Sequence, residues 1–225
     1  DVKGLKIGLP KEYFVKGMDP EVEAAVKNGV KELEKLGAEV VEISLPNTDY
    51  AISTYYLIAP AEAATNLARY DGVSYGERAE DAADLVEMMT KTRTQYLGEE
   101  VKRRIMIGNY ALSAGYYDAY YLKALKVRRL VKEDYDKAFK DVDVIICPAA
   151  PSVAYKIGEK IANPLEMYLQ DACTVPLNLA GLPGISVPCG YNKDKMPIGM
   201  QIIGKALDEE TILRVAYTYE QSQSY

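Results

Sequence analysis

The N-terminal part of the chain contains a strand–helix–strand pattern, and this pattern constrains the fold more than any other feature of the sequence. Leu5–Pro10 is a short apolar run, and Glu39–Leu45 alternates β-branched with polar residues, as strands do. Between them, Asp19 is typical of a helix N-cap and Pro20 of the first helical residue, while Gly37 ends the helix. Two strands joined by one helix pair in parallel, so the sequence predicts a βαβ unit and an α/β architecture.

The character of the sequence changes over about residues 48–140, which are rich in Ala, Leu, Tyr, Glu, Lys and Arg. Glycines interrupt this stretch, so we expect a layer of several helices rather than one long helix. The predicted helices are Tyr50–Arg69, Ala79–Tyr96, Glu99–Ser113 and Tyr116–Lys140.

Strands return after the helical stretch. Asp143–Pro148 and Ile198–Gly204 are predicted strands, and Asn178–Pro188 is predicted to contain another short strand between tight turns. Asp208–Gln221 is a predicted amphipathic helix. We therefore expect residues 1–225 to form a single domain, in which a mixed β-sheet is flanked by helices and the helical layer is inserted between its strands.

The chain has 225 residues and no histidine. This excludes Ser-His-Asp and Cys-His catalysis as well as histidine-ligated zinc. Cys147, Cys173 and Cys189 are far apart and form no Cys-x-x-Cys motif, so neither a metal site nor a disulfide framework is predicted. Each cysteine is interpreted as a small buried residue of a cytoplasmic protein.

Charge and glycine patterns exclude further classes of function. Lys and Arg number 27 against 33 Asp and Glu, and a net charge of −6 does not suit a surface that coats nucleic acid or anionic lipid. Neither Gly-x-Gly-x-x-Gly nor Gly-Lys-Ser/Thr occurs, so no nucleotide-phosphate site is predicted. No apolar run approaches the roughly 20 residues that a membrane span needs.

Three polar residues in apolar surroundings are candidates for a binding site. Arg104 lies at the edge of an apolar helix face, where a guanidinium can bind a carboxylate through two parallel hydrogen bonds. From the residues alone, a solvated helix-surface charge is the favoured interpretation of Arg104. Asp171 can receive an ammonium group or cap a helix, and Tyr55 and Tyr56 fit core packing with a bonded hydroxyl.

A tyrosine cluster precedes a basic helix and allows two interpretations. The cluster consists of Tyr116, Tyr117, Tyr120 and Tyr121, and five basic residues follow it within Lys123–Lys132. In such a combination the aromatic rings can stack on RNA bases and the basic side chains can neutralise the phosphates. Helical spacing places these groups on different sides of one helix, and the whole chain is acidic. We therefore favour packing together with a solvated basic face.

Several stretches resemble the amidase-signature enzymes. Asn178–Pro188 and Pro197–Gly204 are similar to the C-terminal part of that family. Other stretches resemble, within it, the A subunits of the glutamyl-tRNA(Gln)/aspartyl-tRNA(Asn) amidotransferases. These stretches are Tyr55–Ala63, Asn66–Val73, Val101–Gly108 and Gly115–Tyr121. The similarity extends from Leu5 almost to Gln221, and it implies the amidase-signature fold.

The resemblance also implies catalytic residues that this chain does not supply. The family's nucleophile is a serine, activated through a second serine and a lysine in a Gly- and Ser-rich segment of its N-terminal half. The chain contains no Ser-Ser or Gly-Gly pair, and Asp1 corresponds to a point after that segment. We therefore expect a C-terminal part without catalytic residues of its own, inactive in isolation and prone to self-association.

The resemblance implies a glutamine pocket on this chain, and it implies that other subunits of a complex carry out the later steps of the reaction. Matched motif to motif, Tyr55, Arg104 and Asp171 correspond to the residues that bind glutamine, with Arg104 on the α-carboxylate and Asp171 on the α-amino group. No cofactor is expected on this chain, because the partner, the B subunit, uses ATP and Mg²⁺ to amidate the tRNA-bound glutamate. The small C subunit completes the assembly, and tRNA is reached only through the partner.

Two other interpretations stay open at this point. The chain could be a stand-alone, non-catalytic binding or scaffold protein that uses the same fold. It could also be part of a generic amidase that acts on other amides, although the pair Arg104 and Asp171 suits an α-amino acid better.

Overall fold

The predicted βαβ unit forms at the start of the chain. The computed structural model describes residues 1–14, 17–158 and 169–223. Strand β1 (Lys6–Pro10) leads through helix α1 (Pro20–Lys35) to strand β2 (Glu39–Ile43), and β1 pairs with β2 in parallel. The Asp19 side chain accepts a hydrogen bond from the Glu21 backbone at 2.9 Å, which confirms the predicted helix cap.

In the described part of the chain, five strands form one mixed sheet in the order β2-β1-β3-β5-β4. The three later strands are β3 (Val144–Pro148), β4 (Gly184–Tyr191) and β5 (Pro197–Gly204). Strand β3 is parallel to β1, whereas β5 is antiparallel to both β3 and β4. The predicted α/β fold with a mixed sheet is therefore confirmed.

Helices occupy much of the rest of the described chain. They are α2 (Ala51–Asn66), α3 (Leu85–Tyr96), α4 (Glu99–Leu112), α5 (Lys123–Ala138), α6 (Val175–Ala180) and α7 (Glu209–Ser222). The chain divides into two compact units. We call Asp1–Ile52 with Arg128–Tyr225 the sheet unit and Ser53–Val127 the helical unit, so the helical unit is inserted in sequence between two segments of the sheet unit. That residues 1–225 form a single domain stays a prediction.

The sheet unit has a core on each face of its sheet, and the central strand β3 is buried throughout. Val144 and Ile146 point into one core, which also contains residues of α1 and α7. Ile145 and Cys147 point into the other core, which contains residues of α5 and α6. This alternation explains why β3 is a continuous apolar run in the sequence.

Two helices differ from their predicted bounds because local hydrogen bonds replace the helical pattern. Helix α3 begins at Leu85 instead of Ala79, since the Asp84 side chain accepts from the Glu87 backbone at 2.8 Å and caps the helix there. The predicted helix from Tyr116 begins with a π-helical turn, in which Leu122 N–H donates to the Tyr117 carbonyl at 3.0 Å.

Candidate functional site

Arg104 and Tyr55 lie together in the helical unit. Arg104 stands on α4 and donates from Nη1 to the Tyr55 hydroxyl on α2 at 3.2 Å. Its Nε donates to Glu100 Oε1, one helical turn earlier, at 3.0 Å. Two of the three residues that the sequence predicts for the glutamine pocket are therefore in direct contact.

An aromatic ring covers one side of the guanidinium. The Arg104 Cζ atom lies 5.7 Å from the centre of the Tyr56 ring, within the range of a cation–π interaction. The Tyr55 and Tyr56 rings meet edge to face, with centres 5.0 Å apart and an interplanar angle of 82°. Neighbouring tyrosines thus contribute a hydroxyl and a ring face to the same arginine.

The surroundings of Arg104 stabilise its charge. Partial burial of the guanidinium acts to lower its pKa, but the hydrogen bonds to Glu100 and Tyr55 outweigh this effect and raise the pKa above its ordinary value. The side chain keeps 30% of its surface exposed, so an anion from solution can approach it. A guanidinium exposed in this way can bind a carboxylate or a similar anion.

A glycine on α4 allows the approach that creates the pair. A Cβ atom built on Gly108 would overlap the Pro60 carbonyl oxygen and would lie 2.8 Å from the Ala64 Cβ. Only glycine therefore permits α4 to come this close to α2. Arg104 is one turn from Gly108, and Tyr55 is on the same helix as Pro60, so this backbone contact positions both site residues.

Asp171 belongs to the sheet unit, where a short 3₁₀ helix, Leu169–Cys173, contains it. The buried Gln201 side chain fixes this turn, because its Nε2 donates to the Cys173 carbonyl at 2.8 Å and to Cys147 Sγ at 3.2 Å. Ser152, which follows β3, donates to Gln170 at 2.9 Å. Asp171 is thus held beside the carboxyl end of β3, the edge where α/β sheets bind ligands.

Sequence reasoning misses two contributors to the arginine site. Glu100 is not among the predicted residues, although its i,i+4 spacing from Arg104 is a recognised signal for an ion pair on a helix. The resemblance points to Tyr55 rather than Tyr56, whereas the structure places both against the guanidinium. The ring contact of Tyr56 depends on the approach of two helices, which no local pattern reveals.

The tyrosine cluster packs on itself within the helical unit. The ring centres of Tyr110 and Tyr116 are 4.4 Å apart, and Tyr120 lies 5.9 Å from each of them. Hydrogen bonding to Tyr116 raises the pKa of Tyr110 to about 12. In the sheet unit, the basic residues Arg129 and Lys132 of α5 pair with acids one turn later, at 2.9 and 2.6 Å, as expected for a solvated face.

The residues described by the structure contain no group of three or more His, Cys, Asp or Glu side chains arranged to hold a metal ion. Among the helices that they form, none is both long and apolar enough to cross a membrane.

Comparison with known proteins identifies a family. The model of the Amidase family matches residues 1–213. The glutamyl-tRNA(Gln) amidotransferase A subunit of Desulforamulus reducens is 58% identical over 225 residues, covering 100% of this chain and 46% of the relative. The A subunit of the same enzyme from Thermodesulfovibrio yellowstonii is 61% identical over 222 residues, covering 99% and 46%. The chain therefore spans about half the length of these curated relatives.

Solved structures support the same assignment. The crystal structure of the glutamyl-tRNA(Gln) amidotransferase A subunit from Thermotoga maritima matches 100% of this chain and 44% of its own, with a TM-score of 0.75 and 38% identity. A crystal structure of an amidase matches equally well in fold, with a TM-score of 0.75, at 21% identity. At that identity the second likeness concerns the fold alone.

Proposed function

Since the chain belongs to the amidase family, we propose that it is the glutamine-binding part of a protein that releases ammonia from glutamine for tRNA-dependent amidation. The observation that carries this proposal is the contact of Arg104 with Tyr55 at 3.2 Å, in a chain 58% identical to a glutamyl-tRNA(Gln) amidotransferase A subunit. The pair presents a fixed guanidinium, the group that proteins use most for planar, bidentate recognition of a carboxylate.

In this proposal three residues recognise an α-amino acid. Arg104 binds the α-carboxylate of glutamine, and the Tyr55 hydroxyl fixes the guanidinium and borders the ligand. Asp171 receives the α-ammonium group. Opposite charges on the protein then match both charges of the zwitterion, which distinguishes glutamine from a simple amide.

The resemblance to the amidase-signature enzymes implies that the chemical step belongs to the N-terminal half of those enzymes, which matches no segment of this chain. There a serine attacks the side-chain amide carbon of glutamine, ammonia leaves, and water hydrolyses the acyl-enzyme to glutamate. The role of the present chain is to hold the amino-acid end of glutamine so that its amide reaches that serine.

The ammonia then serves a partner protein. This partner, the B subunit, activates glutamate on tRNA with ATP and Mg²⁺ and accepts the ammonia, and the C subunit completes the assembly. The present chain needs neither ATP nor a metal ion for its part, because it binds an amino acid through charged and hydroxyl side chains.

The replacement Asp171→Asn in the full-length protein, assembled with its partners, tests the proposal. It keeps the size of the side chain but removes the charge opposite the α-ammonium, so kcat/KM for glutamine should fall roughly ten- to hundredfold. Activity with an ammonium salt as the nitrogen donor should be unchanged, because the partner's chemistry is untouched. Asp194→Asn, an exposed turn residue, is the matched control.

Three outcomes would contradict the proposal. Unchanged glutamine kinetics in Asp171→Asn would show that the aspartate does not receive the α-ammonium. A complete assembly that hydrolyses simple amides as fast as glutamine would favour a generic amidase, and one that binds glutamine without hydrolysing it would favour a scaffold protein.

A further inference from the structure

Glu100 is held between two arginines on the first two turns of α4. Its Oε1 accepts from Arg104 Nε at 3.0 Å, and its Oε2 accepts from Arg103 Nη1. The side chain of Glu100 is 37% exposed and the side chain of Arg104 is 30% exposed, so the contact between them is partly shielded from water. Both carboxylate oxygens therefore have a cationic donor, and the rotamer of Glu100 is fixed from two sides.

The guanidinium of Arg104 contacts three different residues through three different parts of its surface. Nε donates to Glu100, Nη1 donates to the Tyr55 hydroxyl, and the Tyr56 ring lies against one face. A guanidinium has five N–H donors, and these two hydrogen bonds use two of them. A carboxylate that binds in a fork needs one N–H from each of two neighbouring nitrogens. Glu100 already occupies the single N–H of Nε, whereas Nη1 has a second N–H beside the one that it donates to Tyr55, and Nη2 has two.

We propose that Glu100 is a positioning residue, which fixes Arg104 through Nε and thereby reserves the edge formed by Nη1 and Nη2 for the carboxylate of the substrate. This inference rests on the proposed function, because it concerns the same arginine. It adds a residue and a direction of approach: the ligand carboxylate binds end-on, and Glu100 decides this without touching the ligand.

An ordinary surface ion pair would lack these features. Glu99 pairs with Lys102 on the same helix at 2.6 Å, but its side chain is 87% exposed. Exposed pairs of this kind contribute little, since water screens the charges. Glu100 differs because its partner is also bound by Tyr55 and covered by Tyr56, so Glu100 completes the set of contacts that orients this guanidinium.

The contact itself can be tested on this chain by NMR of the arginine side chains. The Arg104 Nε–H signal, identified by its loss in Arg104→Lys, should be resolved and should exchange slowly with water, because Glu100 accepts this proton. In Glu100→Ala the signal should shift and exchange at least severalfold faster, and in the control Glu99→Ala it should stay unchanged. An Arg104 signal that is the same in Glu100→Ala and the wild type would overturn the inference.

Kinetics of the full-length protein in its assembly test the consequence for the substrate. Glu100→Ala should raise KM for glutamine about tenfold and leave kcat within about twofold. Glu100→Gln should recover most of this loss, since its amide oxygen still accepts from Nε, and Glu99→Ala should match the wild type. A loss in kcat alone, or an equal loss in Glu100→Ala and Glu100→Gln, would show that Glu100 does not act by positioning Arg104.

The two experiments separate this inference from the proposed function. If the wild-type assembly does not act on glutamine, the proposed function fails, while the NMR comparison still decides whether Glu100 fixes the guanidinium. If the wild type acts on glutamine and Glu100→Ala has a normal KM, the inference alone is wrong.

Discussion

At the scale of single residues, the arginine site depends on donor geometry more than on charge. Arg104 reaches Glu100 and Tyr55 at the same time because its nitrogens point in different directions in one plane. A lysine at this position would keep the charge but present a single ammonium on a flexible stem. With three N–H donors, it could not bind a ligand carboxylate through two parallel hydrogen bonds and also donate to both Glu100 and Tyr55.

We therefore expect Arg104→Lys to be almost as damaging as Arg104→Ala in the full-length protein. Both should lower kcat/KM for glutamine roughly ten- to hundredfold, the range of a charge-assisted hydrogen bond. Steady-state glutamine hydrolysis measures the effect. Arg129→Lys is the matched control, because Arg129 pairs with Glu133 on an exposed face and should tolerate the change. Near-wild-type kinetics in Arg104→Lys would mean that a point charge suffices and that fork geometry is irrelevant.

The roles of some of these residues can be predicted from the sequence, and the roles of others cannot. Arg104 and Asp171 could be selected because each interrupts apolar surroundings, and Asp19 could be assigned as a cap because capping acts over three residues. The roles of Tyr56 and Gly108 could not be predicted, because both depend on the distance between α2 and α4. Such contacts depend on how closely two helices pack in the tertiary structure, and a single sequence does not reveal this distance.

At the scale of elements, the packing of α4 on α2 determines whether the site forms. The Pro60 carbonyl lies where a side chain at Gly108 would begin, and a backbone atom cannot rotate away as a flexible side chain can. The buried face of α4, formed by Ile105, Gly108 and Ala111, is therefore matched to a close approach.

Gly108→Ala should accordingly force the two helices apart. We expect a loss of about 1–3 kcal/mol in the free energy of unfolding, as is typical of overpacking, despite the higher helix propensity of alanine. Urea unfolding followed by circular dichroism measures this. Gly98→Ala is the matched control at the start of the same helix, since a Cβ at Gly98 meets nothing within 4 Å and its φ is −63°. Equal stability of the two variants would show that the approach at Pro60 relaxes without cost.

The two outer strands of the described sheet differ in how well their edges are protected. Strand β2 carries Glu39 and Glu42, charges that oppose pairing with another chain, whereas β4 (Gly184–Tyr191) carries no charged side chain. We therefore expect this chain to self-associate through β4. Ser186→Lys should weaken the association in sedimentation velocity, and Val41→Lys on β2 should not. Association that is equal in both variants would place the contact elsewhere.

At the scale of the whole molecule, the stability should depend on pH mainly outside the range from about pH 5 to 8. The chain has no histidine, so no side chain has an ordinary pKa between about 5 and 8, and stability should be nearly constant there. Above this range, burial raises the pKa of several groups in the sheet unit. The pKa of the Tyr13 and Cys147 side chains rises well above its ordinary value, and that of Cys173 rises from 9.0 to about 12.

A raised pKa of this kind makes the native state lose stability in alkali. Between pH 9 and about 12 the folded chain keeps the Cys173 proton that the unfolded chain has released, so the free energy of unfolding falls as the pH rises. One such group contributes a slope of about 1.4 kcal/mol per pH unit. Cys173→Ala should reduce the measured slope between pH 10 and 11 by about this amount, in addition to a constant packing loss already present at pH 7. Val175→Ala, also buried but without a titrating group, should show a packing loss with an unchanged slope. Denaturant unfolding at several pH values separates the pH-dependent contribution of the thiol from the constant packing loss. An unchanged slope in Cys173→Ala would show that this thiol does not titrate between pH 9 and about 12.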